Sequence, residues 1–312
     1  MFSSRLFSSS LAFKLCACLI GLLPFSAVTA QEKADVAATT PPTSLERHYE
    51  MTLNYKMMAK TKFTKNNRPE NERFSYAQES ANFLVLQPLS EKNSLFGGIG
   101  YSSAKLTWDQ NPAFKHKTYS YVNLLLGGTS REVENWLWEG KLIVSLDPDS
   151  SRIDTTTWYN GFFFGRYTYT KNVGIYIGFN MYTGLNKDMV YPILGFDYIP
   201  NKEWKLSLIY PTDISLTYTI TPEWSAIATL RPILDRHRLK RTEAVPFGVY
   251  EYSTNGAEVA LKWEPSLACE TKLFVGSTTG GRLKITDKLG RNGQIFKLRP
   301  APYAGLTVVV RF

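Results

Sequence analysis

The sequence predicts an all-β fold, a transmembrane antiparallel up-and-down β-barrel of about fourteen strands over residues 46–312. Three patterns predict it. The final segment places Ala304, Leu306, Val308 and Val310 at every second position and ends on the ring of Phe312. Upstream, segments of strand length repeat the same arrangement of one apolar and one polar face. The connections between these segments alternate between short and long, as the turns and loops at the two ends of such a barrel do.

Residues 1–30 come first. Arg5 and Lys14 precede an apolar run from Leu15 to Phe25, and Val28-Thr29-Ala30 leads into Gln31, the pattern of a secretory signal peptide. The run falls well short of the ~20 apolar residues that a spanning helix needs. Residues 31–45 are small and polar, contain Pro41-Pro42 and show no periodicity, so they read as a flexible periplasmic leader. The barrel follows.

Its opening segment, 46–59, sets Tyr49, Met51, Leu53, Tyr55 and Met57 on one face and Glu50, Thr52, Asn54 and Lys56 on the other. In a membrane barrel the first face meets lipid and the second lines the lumen, which makes Glu50, Asn54 and Lys56 candidate lumen residues. Further strands are predicted over 72–86, 94–107, 117–127, 135–147, 155–169, 173–184, 189–199, 203–210, 214–220, 224–231, 256–264, 270–278 and 301–312. Twelve or sixteen strands would also accommodate the chain, but the number must be even if both ends lie at the periplasmic rim. In 155–169, Asn160 and Arg166 fall opposite Tyr159, Tyr167 and Tyr169 and join the lumen candidates. Several of these segments reach the ~9–11 residues of a tilted spanning strand, more than sandwich strands usually have.

Long connections are expected at 60–71, 108–116, 148–154, 232–255 and 279–300. Trp204, Trp224 and Trp263 beside short turns, with Trp108, Trp136 and Trp138 near other strand ends, suit an interfacial aromatic girdle. Gly97-Gly98 and Gly280-Gly281 read as bends or bulges in curved strands. Phe312, with Val310, Val308 and Leu306, reads as the membrane-insertion signal recognised by the barrel-assembly machinery, on a strand that closes the cylinder against 46–59.

The run Tyr191-Pro192-Ile193-Leu194-Gly195-Phe196-Asp197-Tyr198-Ile199-Pro200, then Trp204-Lys205-Leu206, Tyr210-Pro211 and Leu216-Thr217-Tyr218, resembles a family of uncharacterised Gram-negative outer-membrane β-barrels. The resemblance covers 46–312 in overall pattern and this middle portion in residue detail. It implies the barrel fold and an outer-membrane address, and no catalytic or binding residues.

The chain carries 36 Lys+Arg against 27 Asp+Glu, a net charge of +9. Without Arg5 and Lys14 the balance is 34 against 27, or +7. Of three cysteines only Cys269 lies beyond residue 30, so no internal disulfide forms in the exported chain, and Cys269 is either a bystander or a handle for a partner. Arg236, Arg238, Lys240 and Arg241 crowd into the expected loop 232–255, where guanidinium groups could pair with lipopolysaccharide phosphates or focus anions on a pore mouth. Nucleic acid is not an expected partner outside the cell.

No cofactor or metal motif is present. Asp147-Pro148-Asp149 and Asp235-Arg236-His237 superficially resemble the Asp pair and the Asp/His pair of omptin proteases, in which carboxylates and an imidazole would activate a water. Asp-Pro-Asp-Ser-Ser is also an ordinary turn. The function read from the sequence is therefore non-enzymatic: a passive pore for small solutes. The alternatives are a surface barrel that contacts lipopolysaccharide or a partner through basic loops, and a barrel hydrolase.

Overall fold

The computed structural model describes residues 46–64, 72–150 and 153–312. The signal peptide and leader expected over 1–45 lie outside the described residues. The strands are β1 (His48–Lys62), β2 (Arg73–Pro88), β3 (Asn93–Trp108), β4 (Thr118–Ser130), β5 (Trp136–Leu146), β6 (Trp158–Thr170), β7 (Val173–Gly184) and β8 (Met189–Tyr198). They continue as β9 (Trp204–Tyr210), β10 (Asp213–Thr219), β11 (Trp224–Arg238), β12 (Val249–Ser266), β13 (Cys269–Thr286), β14 (Gln294–Leu298) and β15 (Pro302–Arg311). One helical turn, α1 (Ile153–Thr156), precedes β6.

Every neighbour pairs antiparallel, β1 pairs with both β2 and β15, and β12 pairs with β13, so the sheet closes into a cylinder. The barrel has fourteen staves although fifteen strands are counted: β14 and β15 both lie on β13 and form one stave broken at 299–301. Closure follows the predicted alternation. Met51, Leu53, Tyr55 and Met57 oppose Val310, Val308, Leu306 and Ala304, while Thr52 and Asn54 oppose Val309 and Thr307. Backbone bonds from Tyr49 N–H to the Phe312 carbonyl (2.8 Å) and from Phe312 N–H to the Tyr49 carbonyl (3.0 Å) seal the rim that carries Phe312.

The outer face is apolar and exposed. Leu124, Leu126, Phe163, Ile177, Leu194, Leu216, Leu230 and Val259 all stand out from the wall. A patch of this extent surrounding a whole molecule is foreign to water-soluble proteins and is the belt of a barrel that meets hydrocarbon. Near the Phe312 rim the belt ends in rings: Trp136 stacks on Trp138 at 4.9 Å, Trp204 meets Tyr218 at 4.7 Å, and Tyr49 stacks on Phe312 at 5.7 Å. Trp224 and Trp263 also pair across β11 and β12. Trp108 departs from the expected girdle. It is buried inside the barrel, where its indole N–H donates to Glu72.

The strand expectations hold for the half of the barrel nearest Phe312 and fail for the far half of β11 to β14. Loops were expected at 232–255 and 279–300, yet β11 runs to Arg238, β12 begins at Val249, β13 reaches Thr286 and β14 fills 294–298. The reason is packing. The β11 and β12 extensions fold across the distal mouth, so both of their faces are covered and neither is uniformly polar, whereas β13 and β14 keep Arg282, Gln294, Ile295 and Lys297 exposed and β14 pairs back to the end of β1 through Phe63 and Leu298. One face of this flap sets Tyr252 against Phe74 (5.5 Å) and Tyr76 (4.9 Å) of β2, and Tyr250 against Phe114 (5.9 Å) and Tyr119 (4.9 Å). The other face reaches β6 and the β7–β8 turn, with the Arg236 guanidinium 4.9 Å from the Trp158 ring.

The crease lies where the backbone is least regular. Pro232 pairs with Asn255, β12 and β13 change register between Thr254 and Gly256, and Gly280 adopts φ +98 beside the break at 299–301. The bend expected at Gly280-Gly281 is therefore present. It lies at the level where β11 and β12 turn inward.

Candidate functional site

Beneath the flap the barrel holds a cavity of about 270 Å³. Its walls come from inward positions that period two dictates: Ser80 and Asn82 on β2, Asn123 on β4, Lys141 on β5, Asn160 on β6 and Asn180 on β7. The sequence-predicted lumen residues all face the interior. Lys56 and Asn160 line the cavity, while Asn54 joins a network with Ser80 (3.4 Å) and Thr307 (2.8 Å). Glu50 pairs with Arg311 at 2.9 Å near the rim, and Arg166 pairs with Asp197 at 3.2 Å. Cations outnumber anions on the cavity wall: Lys56, Lys141, Arg231, Arg236 and Lys272 stand against Asp213 and Asp235. The excess narrows because Arg231 pairs with Glu258 and Arg236 with Glu251.

Glu251 anchors the flap. Its carboxylate lies 2.8 Å from the Lys187 ammonium, 3.1 Å from Arg236 Nε and 3.7 Å from Arg282. Because the Glu251 and Arg236 side chains are each 6% exposed, the arrangement depends on these partners: one buried charge left without the other is costly. The β7–β8 turn is bent to meet it. Gly184, Leu185 and Asn186 take φ values of 110, 49 and 61, which places the Leu185 carbonyl 3.0 Å from Arg236 Nη2. Two non-glycine residues in the left-handed region cost on the order of 1 kcal/mol each, so the contacts hold this turn.

Here the basic cluster is corrected. Arg236 and Arg238 do not stand on an outer loop: they lie on β11, 7% and 6% exposed, and Arg238 donates to the carbonyls of Thr155 (2.5 Å) and Phe247 (2.7 Å). Lys240 and Arg241 do lie on the β11–β12 loop, and Lys240 pairs with Asp149 at 2.8 Å. The clue in the sequence was composition, since Ile233, Leu234 and Leu239 are dense for a solvated loop.

Asp235 and His237 are 3.1 Å apart. They are clamped rather than presented: His237 stacks on Tyr121 at 4.2 Å, and the Tyr250 hydroxyl donates to Asp235 at 2.9 Å. Asp147 accepts the Asp149 N–H in a tight turn, and no histidine lines the cavity. Among the described residues no three His, Cys, Asp or Glu gather as a metal site. Cys269 is a half-buried free thiol at the start of β13, opposite Val310.

The wall itself has an interruption. β9 and β10 are seven residues each and turn at Pro211-Thr212, whereas β8 and β11 on either side continue beyond them. Pairing of β8 with β9 ends at Leu194 and Tyr210, and pairing of β10 with β11 begins at Ile214 and Leu230. Above that level β8 has only β7, and β11 only β12, as a strand partner. The cavity reaches this interruption, for Pro211, Thr212, Asp213, Pro232 and Leu234 all line it.

No family model matches the chain. It is 25% identical over 291 residues to an uncharacterized protein of Chlamydia pneumoniae, covering 88% of this chain and 90% of the relative. A second uncharacterized protein, from Chlamydia trachomatis, is 23% identical over 252 residues and is covered to 79%. Among solved structures, an outer-membrane channel of Pseudomonas putida F1 matches with a TM-score of 0.51 at 7% identity, over 88% of this chain and 98% of that one. That likeness is one of fold.

Proposed function

We propose that the protein is an outer-membrane channel for small solutes whose distal mouth is closed by the folded-in halves of β11 and β12. The observation that carries this reading is the pairing of an apolar outer belt with a polar, cation-lined cavity at the centre of a closed barrel. A barrel of fourteen staves is wide enough to hold an aqueous interior unless something fills it, and here the flap is what fills its far end. Support also comes from the fold of the P. putida channel. Glu251 ties the flap to the β7–β8 turn through Lys187 and orders Arg236 and Arg282 on its neighbouring strands, so its removal is a direct way to loosen the closure.

Single-channel recording in planar bilayers tests the reading. The parent protein is expected to give small or rare steps and Glu251→Ala larger and more frequent ones. A flat trace from both proteins at all voltages would sink it.

A further inference from the structure

We infer that the outward face of β14, with the distal ends of β13, β1 and β2 beside it, is a binding site for the phosphate groups of lipopolysaccharide. The inference needs the barrel's outer-membrane setting and not the channel reading, and it concerns other residues than the basic run at 236–241.

Strand register assembles the site. On β13 and β14, Arg282 stands directly opposite Lys297. On β1 and β2, Lys62 stands opposite Arg73. The bridge between Phe63 and Leu298 joins the two pairs, because it sets Arg299 opposite Lys62, and the Arg299 N–H donates to the Lys62 carbonyl at 3.0 Å. Arg282, Lys297, Arg299, Lys62 and Arg73 therefore lie side by side, and all are exposed. Phe63, Phe74, Leu283 and Leu298, which alternate with them along the strands, are buried on the inner side.

Such a row is costly by itself. Like charges directly opposite each other in an antiparallel pair, with Cβ atoms ~4.5–5.5 Å apart, repel. Neighbouring carboxylates offset little of this: Asp109 lies 3.5 Å from Lys60, and Glu251 is 3.7 Å from Arg282, whose Nε donates to Ser253 at 2.9 Å. Among the described residues no carboxylate pairs with Lys62, Arg73, Lys297 or Arg299. An anion from outside completes the row.

Height along the barrel identifies that anion. The outward side chains of β1 are first Tyr55 and Met57, exposed in the apolar belt, and then Lys60 and Lys62. From Tyr49 in the girdle to Lys62, β1 rises roughly 34 Å at ~3.4 Å per residue and ~40° tilt, against a belt ~25 Å tall. The cations begin just above the hydrocarbon, at the end opposite Phe312. In an outer membrane that end meets the leaflet whose lipid carries phosphates on its sugar backbone. Arg73, Arg282 and Arg299 supply planar forks that grip a phosphate through two parallel hydrogen bonds.

The test is binding of diphosphoryl lipid A to the folded protein in neutral detergent, read by native mass spectrometry and by the shift in thermal unfolding. The parent protein is expected to bind the lipid and to unfold at a higher temperature in its presence. Lys297→Gln combined with Arg299→Gln is expected to weaken binding at least tenfold and to abolish the shift. Lys171→Gln combined with Lys202→Gln, exposed on turns at the Phe312 rim, is expected to change neither. Without lipid, the Lys297 and Arg299 variant should unfold no lower than the parent, since it loses a repulsion, and this separates lost binding from lost folding. A lower midpoint counts against the site. No binding by the parent, undiminished binding by that variant, or equal weakening by both double variants overturns it. So does equally tight binding of lipid A stripped of its phosphates, or of phosphatidylglycerol.

Discussion

The half of the barrel nearest Phe312 and the flap formed by β11 to β14 are built from the same strands, yet they obey different rules. In the lower half one face meets lipid and the other an interior of mostly ion pairs and hydroxyls, so apolar and polar residues alternate, as in Met51-Thr52-Leu53-Asn54, apart from inward Val309 and the small buried cluster of Phe164, Ile193 and Ile209. In β11 and β12 of the flap both faces are packed. Tyr250 and Tyr252 enter an aromatic core, while Glu251 between them enters a charge cluster that is equally buried. The lesson is that period two reports a difference between two environments and says nothing about depth. Where both faces are dry, a strand can carry as many charges as a loop.

The largest effects should separate these regions. Glu251→Ala leaves Arg236 buried without its carboxylate and is expected to cost about 3–5 kcal/mol in a urea unfolding titration. Glu50→Ala at the rim breaks a pair that is 20% and 30% exposed and should cost under about 1 kcal/mol. Equal losses would mean that the flap is no more buried than the rim. A smaller contrast concerns apolar truncation. Phe74→Ala removes a fully buried ring from the flap core and should cost about 3–5 kcal/mol, whereas Leu216→Ala in the belt should cost under about 2 kcal/mol, since lipid tails close over the space and no cavity is left. Comparable unfolding midpoints for the two variants would contradict that assignment.

The smallest effect is electrostatic. The Lys240 ammonium, hydrogen-bonded to Asp149, holds that carboxyl below its ordinary value. A depressed carboxyl stabilises the fold fully above its unfolded value of about 4 and loses that contribution as pH falls through its lower folded value. Both groups are more than a third exposed, so solvent screens the pair and the tether between the β11–β12 and β5–β6 loops contributes only about 0.5 kcal/mol. Replacing Lys240 with Gln should flatten this acid limb of the stability profile, and an unchanged limb would exclude the pair as its source.

Much of the barrel was legible in the sequence. Fourteen staves, the closing pair of 46–59 with 301–312, the short turns at one end and the inward placement of Glu50, Asn54, Lys56, Asn160 and Arg166 all follow from alternation and turn residues. The flap was not legible, because its charges are matched by residues distant in the chain: Glu251 is 64 positions from Lys187, and the Arg236 carbonyl takes the hydroxyl of Tyr121 from 115 positions away. Trp108 misled for the same reason, since an indole at a strand end suits a girdle until a second layer covers it. The short β9 and β10 were visible in the sequence, but their consequence depended on where β8 and β11 continued.

Whether the far halves of β11 and β12 lie across the mouth can be measured by proximity. With Cys269 replaced by Ser, cysteines at Asp149 and Lys240, whose charged atoms lie 2.8 Å apart, should be joined by a short bis-thiol reagent. An intramolecular cross-link is expected in nearly every folded chain, seen as altered gel mobility, and the same cross-link made in Glu251→Ala is expected to reverse the larger and more frequent steps of that variant. If β11 and β12 instead continued the wall upward, residues 149 and 240 would stand across the barrel from each other and no cross-link would form.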